Sequence, residues 1–165
     1  MKKNGIVWFR RDLRISDNPA LRAAMERCDC IIPFFNWAPE EEGSWPLGAA
    51  SQWWLHHSLK ELAEKLEDRG AKLVIRSGNS LEQLTELISQ TDSNLVFWNR
   101  LYDPIIVERD KEIKATLKEK DVEVESFPGY LLMEPWELET TTGSSYQVFT
   151  PFWKKLRSSY EHQDC

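Results

Sequence analysis

Short apolar runs alternate with longer stretches of helical spacing along most of the chain. Ile6-Val7-Trp8-Phe9, Cys30-Ile31-Ile32-Pro33-Phe34-Phe35-Asn36, Leu73-Val74-Ile75, Leu95-Val96-Phe97-Trp98 and Val122-Glu123-Val124-Glu125 read as five strands, each bounded by polar or turn-forming residues. Pro33 would ordinarily push its strand to a sheet edge, because it cannot donate to the ladder. Between the first two runs, Asp17 or Asn18 can cap a helix whose first residue is Pro19 and which extends to Arg27. Trp54, Leu55, Leu59, Leu62, Ala63 and Leu66 recur at helical spacing ahead of Gly70, a natural C-cap. Ser80-Leu81-Glu82-Gln83 has the form of a capping box and opens a helix through Ile88. Asp103-Pro104 starts a fourth helix and Thr150-Pro151 another, before a tail at 158–164 that reads as unstructured.

This alternation predicts an α/β fold: a five-stranded, parallel, doubly wound (Rossmann-like) sheet with helices on both faces. Ligands of such sheets sit outside the carboxyl ends of the strands, near the point where strand order reverses. Residues 10–18, 36–48, 77–80 and 99–103 are therefore where chemistry is expected.

Composition narrows the picture. The 165 residues are 41% hydrophobic and 29% charged, the balance of one globular domain. A formal net charge of -6 argues against the surface as a whole binding nucleic acid, since that needs Lys and Arg to replace counterions. The odd cysteines Cys28, Cys30 and Cys165 make no disulfide framework, and Cys28 and Cys30 read as small buried hydrophobes. The first residues lack the apolar run and cleavage site of a signal peptide, so a reducing, cytoplasmic setting without membrane association is expected.

The loop after the first strand, Phe9-Arg10-Arg11-Asp12-Leu13-Arg14-Ile15-Ser16-Asp17, contains no glycine. Arginine side chains there keep the backbone from cradling a pyrophosphate, which excludes a nicotinamide dehydrogenase or P-loop enzyme of the usual kind. The charged cluster is either an internal salt-bridge network or an anchor for a ligand or neighbouring domain. Eight tryptophans is a high count for this length. Those on strands or a helix's apolar face are expected in the core, whereas Trp37 and Trp45, in an irregular loop, are candidates for stacking on a planar ring. His56 and His57 are adjacent on a helix and have no metal-ligand spacing, and Glu40-Glu41-Glu42 reads as a solvated loop. No nucleophile, base and orienting acid stand at suggestive spacing.

Several of these segments together resemble the DNA photolyase and cryptochrome family. Trp8-Phe9-Arg10-Arg11-Asp12-Leu13-Arg14-Ile15-Ser16-Asp17-Asn18-Pro19-Ala20-Leu21 is similar to the family's opening signature. Gly48-Ala49-Ala50-Ser51-Gln52-Trp53-Trp54-Leu55-His56-His57-Ser58-Leu59, Trp98-Asn99-Arg100-Leu101-Tyr102-Asp103-Pro104 with Glu108-Arg109-Asp110, and Tyr146-Gln147-Val148-Phe149-Thr150-Pro151-Phe152-Trp153 follow in order. The Trp-Trp-Leu form is most similar to the plant-cryptochrome-like bacterial branch.

The resemblance implies an N-terminal domain, 1–130, that binds a light-harvesting antenna, with 131–165 beginning a linker towards a helical FAD-binding domain that this chain does not contain. It implies an antenna chromophore, methenyltetrahydrofolate or 8-hydroxy-deazaflavin, with Phe9, Arg10, Arg11, Phe35, Asn36, Trp37, Trp54, Asn99, Leu101 and Tyr102 as the residues expected to hold it. The partners it implies are the helical FAD domain and, through that domain, UV-damaged DNA. The full-length protein would be a deoxyribodipyrimidine photolyase, a carbon–carbon lyase, and this chain alone would be inactive in repair. A cryptochrome-type photoreceptor domain and a free-standing α/β ligand-binding module are the alternatives. Two departures stand out: Ile105 and Ile106 replace polar residues that hold the pterin in the best-known bacterial photolyases, and Gln52 replaces the arginine common before the paired tryptophans.

Overall fold

The computed structural model describes residues 3–44, 47–140 and 142–160, which form two compact units, 1–129 and 130–165. In the first unit, strands β1 (Asn4–Phe9), β2 (Cys30–Trp37), β3 (Val74–Ser77), β4 (Leu95–Asn99) and β5 (Glu123–Phe127) make one sheet in the order β3-β2-β1-β4-β5. All pairings are parallel. The chain runs outward from β1 to β3, then crosses back to β4 beside β1, so strand order reverses between β1 and β4.

Helices α1 (Pro19–Arg27) and α2 (Ala49–Glu67) cover one face, and α3 (Ser80–Thr91) and α4 (Pro104–Glu119) the other. Side chains alternate along a strand, so β1 serves both cores at once. Val7 and Phe9 pack with Ala20, Leu21, Ala24, Leu62 and Leu66, while Ile6 and Trp8 pack with Leu84, Leu87, Ile113 and Leu117. Trp8 meets Trp98 edge-on, ring centroids 5.5 Å apart at 81°, and both are buried. Burying this much aromatic surface is what pins the middle of the sheet.

Local chemistry explains most element ends. The Asn18 side chain accepts from the Leu21 amide at 3.1 Å, and Pro19 begins α1 as expected. Asp17, just before, takes a left-handed φ of 50°. Gly70, with φ of 77°, turns the chain after α2, and the Ala71 amide bonds back to the Leu66 carbonyl. Three expectations are corrected. Pro33 lies in an interior strand; it is tolerated because the ladder with β3 begins only at Phe34, leaving the strand with a single neighbour at that residue. Asn79, not Ser80, caps α3 by accepting from Glu82, so the capping box does not form. Cys30 is exposed and Cys28 only half-buried; the Cys28 sulfur stands 2.4 Å from where a Cβ on Gly5 would lie, which is why β1 has a glycine there.

In the second unit, α5 (Phe149–Tyr160) takes in Ser158, Ser159 and Tyr160, which the sequence placed in an unstructured tail. Residues 161–164 of that tail lie outside the described residues, as does Trp45. On α5, Phe149 and Trp153 stack at 6.3 Å and 10°. Among the described residues no helix is long and apolar enough to cross a membrane.

Candidate functional site

A cavity of about 750 Å³ opens at the carboxyl ends of β1 and β2, alongside α2. Three walls enclose it: the β1 loop from Arg10 to Arg14, the end of β2 from Phe35 to Ala38, and α2 from Ala50 through Leu55 to Leu62. Leu101, Ile106 and Arg109 close it from the β4 side, next to the strand-order reversal. Its volume is that of a pocket for a molecule of cofactor or drug size.

Seven of the ten residues expected at a ligand, Arg10, Arg11, Phe35, Asn36, Trp37, Trp54 and Leu101, line this one cavity. Phe9, Asn99 and Tyr102 are elsewhere. Phe9 is adjacent to Trp8 on a strand, so it points to the opposite face, into the core with α1 and α2. Asn99 is buried and donates to Asp12 and to Asn18 while accepting from the Ala20 amide at 3.0 Å, which ties β4 to the β1 loop and the start of α1. The Tyr102 hydroxyl accepts from the Gly129 amide at 3.1 Å.

The arginines of the β1 loop divide by their partners. Arg10 is buried and donates from Nη1 to Asp110 at 2.5 Å and from Nη2 to the Asn99 carbonyl. Its guanidinium lies 5.2 Å from the Trp8 ring and 5.7 Å from that of Trp98. Burial holds its pKa below the ordinary arginine value, against the opposing pull of Asp110. Arg10 is thus the internal salt bridge that the sequence left as one of two alternatives. Arg11 pairs with Asp103 at 2.8 Å with both side chains nearly half exposed, and Arg14 donates to its own loop at the Asp17 carbonyl.

The carboxylate of Glu41 is not solvated as its acidic neighbourhood suggested. It accepts from the Ser80 amide at 2.7 Å and from the Ser80 hydroxyl at 2.6 Å, and pairs with Arg109 at 3.3 Å. A carboxylate suits this place because the first amides of α3 are otherwise unpaired and carry the positive end of the helix dipole. Arg109 in turn donates to Asp110 from Nε and Nη2 and lies 5.1 Å from the Trp8 ring. Glu41, Arg109 and Asp110 went unmarked as site residues. Arg109-Asp110 stood within a quoted motif, but nothing local ties that pair to a glutamate 68 positions earlier.

Two buried polar atoms of cavity-lining residues have no hydrogen-bond partner among the described residues: Oδ1 of Asn36 and Nε of Arg10. Asn36 spends its amide on the Gly78 carbonyl at 2.8 Å and on Ser80 at 3.1 Å, leaving an acceptor spare. Unpaired buried polar atoms are uncommon enough to call for a reason. The tryptophans of α2 are a further correction: Trp53 and Trp54 are 62% and 70% exposed rather than in the core, and Trp53 meets the His57 ring at 4.2 Å. Of the two isoleucines that depart from the folate pattern, Ile106 is a buried apolar wall of the cavity and Ile105 is exposed.

The fold and its switch point define a doubly wound α/β domain with a ligand-sized cavity at the strand ends. The model of the DNA photolyase family matches residues 5–165, and the chain belongs to that family. It is 47% identical over 94% of its length to the deoxyribodipyrimidine photo-lyase of Agrobacterium fabrum, covering 32% of that protein. It is 43% identical over 94% of its length to Cryptochrome-2 of Arabidopsis thaliana, covering 25% of it. The chain therefore spans about a third or less of these relatives. The crystal structure of a bacterial class III photolyase from Agrobacterium tumefaciens superposes with a TM-score of 0.87 at 44% identity, over 99% of this chain and 33% of that one. The chain is a photolyase-type N-terminal α/β domain.

Proposed function

We propose that this domain is a light-harvesting module: the cavity holds a planar antenna chromophore and passes its excitation to a flavin bound by a helical domain, which carries out light-driven repair of pyrimidine dimers in DNA. The observation that carries this reading is one cavity at the strand ends with aromatic walls at Phe35, Trp37 and Trp54 and with the partly exposed guanidinium groups of Arg11 and Arg14 among its lining residues. Apolar walls with a few fixed polar groups are what a conjugated ring needs to be held in one orientation. Arg11 and Arg14, half exposed at the rim, suit an anionic tail. The bound antenna supplies absorption of light and transfer of its energy. The residues of this chain bind it, orient it and keep water from its rings, and no proton or covalent bond is exchanged. Ile106 at the wall favours a folate held differently from the best-known bacterial pattern, or a deazaflavin.

Titrating the 165-residue chain with methenyltetrahydrofolate and with 8-hydroxy-deazaflavin, read by absorbance, tests the proposal. A saturable red shift with one of them is expected, lost on Trp37→Ala. No spectral change with either overturns it.

A further inference from the structure

Among the cations that line the cavity, Arg109 stands apart in how it is held. Lys65 is drawn to Glu61 on the surface of α2 at 2.6 Å, and Arg11 and Arg14 are partly exposed and paired with Asp103 ahead of α4 and with Asp17 of the β1 loop. Arg10 lies deeper, with its side chain only 5% exposed, and is bonded to Asp110 and to the Asn99 carbonyl. The Arg109 side chain is only 17% exposed, and two carboxylates grip it. Asp110 accepts from Nε at 3.2 Å and from Nη2 at 2.9 Å, and Glu41 accepts from Nη1 at 3.3 Å. A guanidinium has five N–H groups, so one hydrogen on each terminal nitrogen has no acceptor among the described residues.

Glu41 is the unusual member of this arrangement. It comes from the strap after β2, within the 3-10 turn Pro39–Glu42, and its other contacts are to Ser80 at the start of α3. One carboxylate thus joins the strap, the N-terminus of α3 and a cavity-lining arginine of α4. Losing its contact with Arg109 would free one end of the guanidinium while Asp110 kept the other. The loss would also loosen the strap whose residues Ala38 and Glu42 form part of the cavity wall.

We propose that Arg109 is the anchoring residue of the cavity, donating its unused N–H groups to a carbonyl or carboxylate oxygen on the bound aromatic, and that Glu41 is the positioning residue that holds Arg109 there. The anchoring half rests on the chromophore reading; the positioning half does not. Donors held in place at the cavity wall select a planar ring bearing an oxygen at its edge over an unsubstituted one of equal size.

The test uses Glu41→Gln and Arg109→Lys in the 165-residue chain. Glu41→Gln keeps an oxygen to accept from Ser80 but removes the charge facing Arg109, and Arg109→Lys keeps the charge but loses the fork. First, the arginine Nη–H signals of a proton–nitrogen correlation spectrum are recorded at low temperature without ligand, because Nη1 is the nitrogen that Glu41 holds. The wild type is expected to show a protected Arg109 signal, identified by its disappearance in Arg109→Lys, and Glu41→Gln is expected to broaden it by faster exchange. An unchanged signal in Glu41→Gln overturns the positioning role, and its retention together with a wild-type melting midpoint overturns it most plainly. Second, both chromophores are titrated into all three proteins. Arg109→Lys is expected to weaken binding at least about tenfold, the scale of a charge-assisted bond, and Glu41→Gln to weaken it less while moving the absorption maximum of the bound dye. Equal affinity in the wild type and Arg109→Lys overturns the anchor. If the wild type binds neither dye, the chromophore reading and the anchor fall together, and the spectrum without ligand still decides the role of Glu41.

Discussion

At the junction of β1 and α4, charges lie inside: Arg10 and Asp110 are each 7% exposed. On the first turns of α2, rings lie outside: Trp53 and Trp54 are 62% and 70% exposed. Residue type alone would have reversed the two. Arg10 tolerates burial because Asp110, a carbonyl and two indole faces take the place of water. The tryptophans stay exposed on the first turns of α2, whose buried residues, Leu62 and Leu66, come from its other end. Burial here follows what the tertiary structure sets opposite a side chain.

Breaking the charged side of the comparison should cost the most. Asp110→Ala leaves Arg10 and Arg109 without their shared carboxylate and is expected to lower the unfolding free energy in urea by about 3–5 kcal/mol, the usual cost of stripping one partner from a buried pair. A loss below about 1 kcal/mol would mean that Arg10 behaves as an exposed arginine does. Next in size, the two halves of α2 should separate. Leu62→Ala, at a position 1% exposed, is expected to cost about 2–5 kcal/mol. Trp54→Ala should stay within about 0.5 kcal/mol and instead weaken chromophore binding. Equal losses in the two variants would show that the exposed half of α2 is packed in solution.

The smallest effect concerns a lysine beside the same charged region. Lys114 donates to the Ser126 hydroxyl at 2.6 Å and lies 5.5 Å from the Trp98 ring. Burial and the nearby Arg100 and Arg10 lower its pKa from the ordinary 10.5, with Asp110 opposing. Between the lowered folded value and 10.5 the unfolded chain binds more protons, so stability rises with pH across that window. Lys114→Met should flatten this rise in melting midpoints measured from neutral to alkaline pH. An unchanged slope would show that Lys114 is solvated.

Much of the scaffold was legible beforehand. The five apolar runs are the five strands, with ends displaced by one or two residues, and Asn18-Pro19 set the start of α1 at the residue expected. Both depend on contacts within a few residues, where periodicity and capping chemistry act. The site was legible in part, because strand ends can be named from a sequence while strand neighbours cannot. Arg10, Asn36, Trp37 and Leu101 were found as strand-end residues. Phe9 was mistaken for one because a strand reverses its facing with every residue, and Asn99 because its amide is spent on Asp12 and Asn18.

By itself, then, the sequence determined the class of fold, the number of its strands and their places along the chain, the cap that starts α1 and the glycine that follows α2, and the loops where a ligand would be met. It carries these because each follows from residues that are neighbours along the chain. Only the tertiary structure decided that Glu41 reaches Ser80 and Arg109 and that Arg10 is neutralised by Asp110. It alone decided, too, that two tryptophans on a helix with an apolar face remain in solvent. Those outcomes depend on which strand ends the sheet order sets side by side, and no pattern along the chain records that distance.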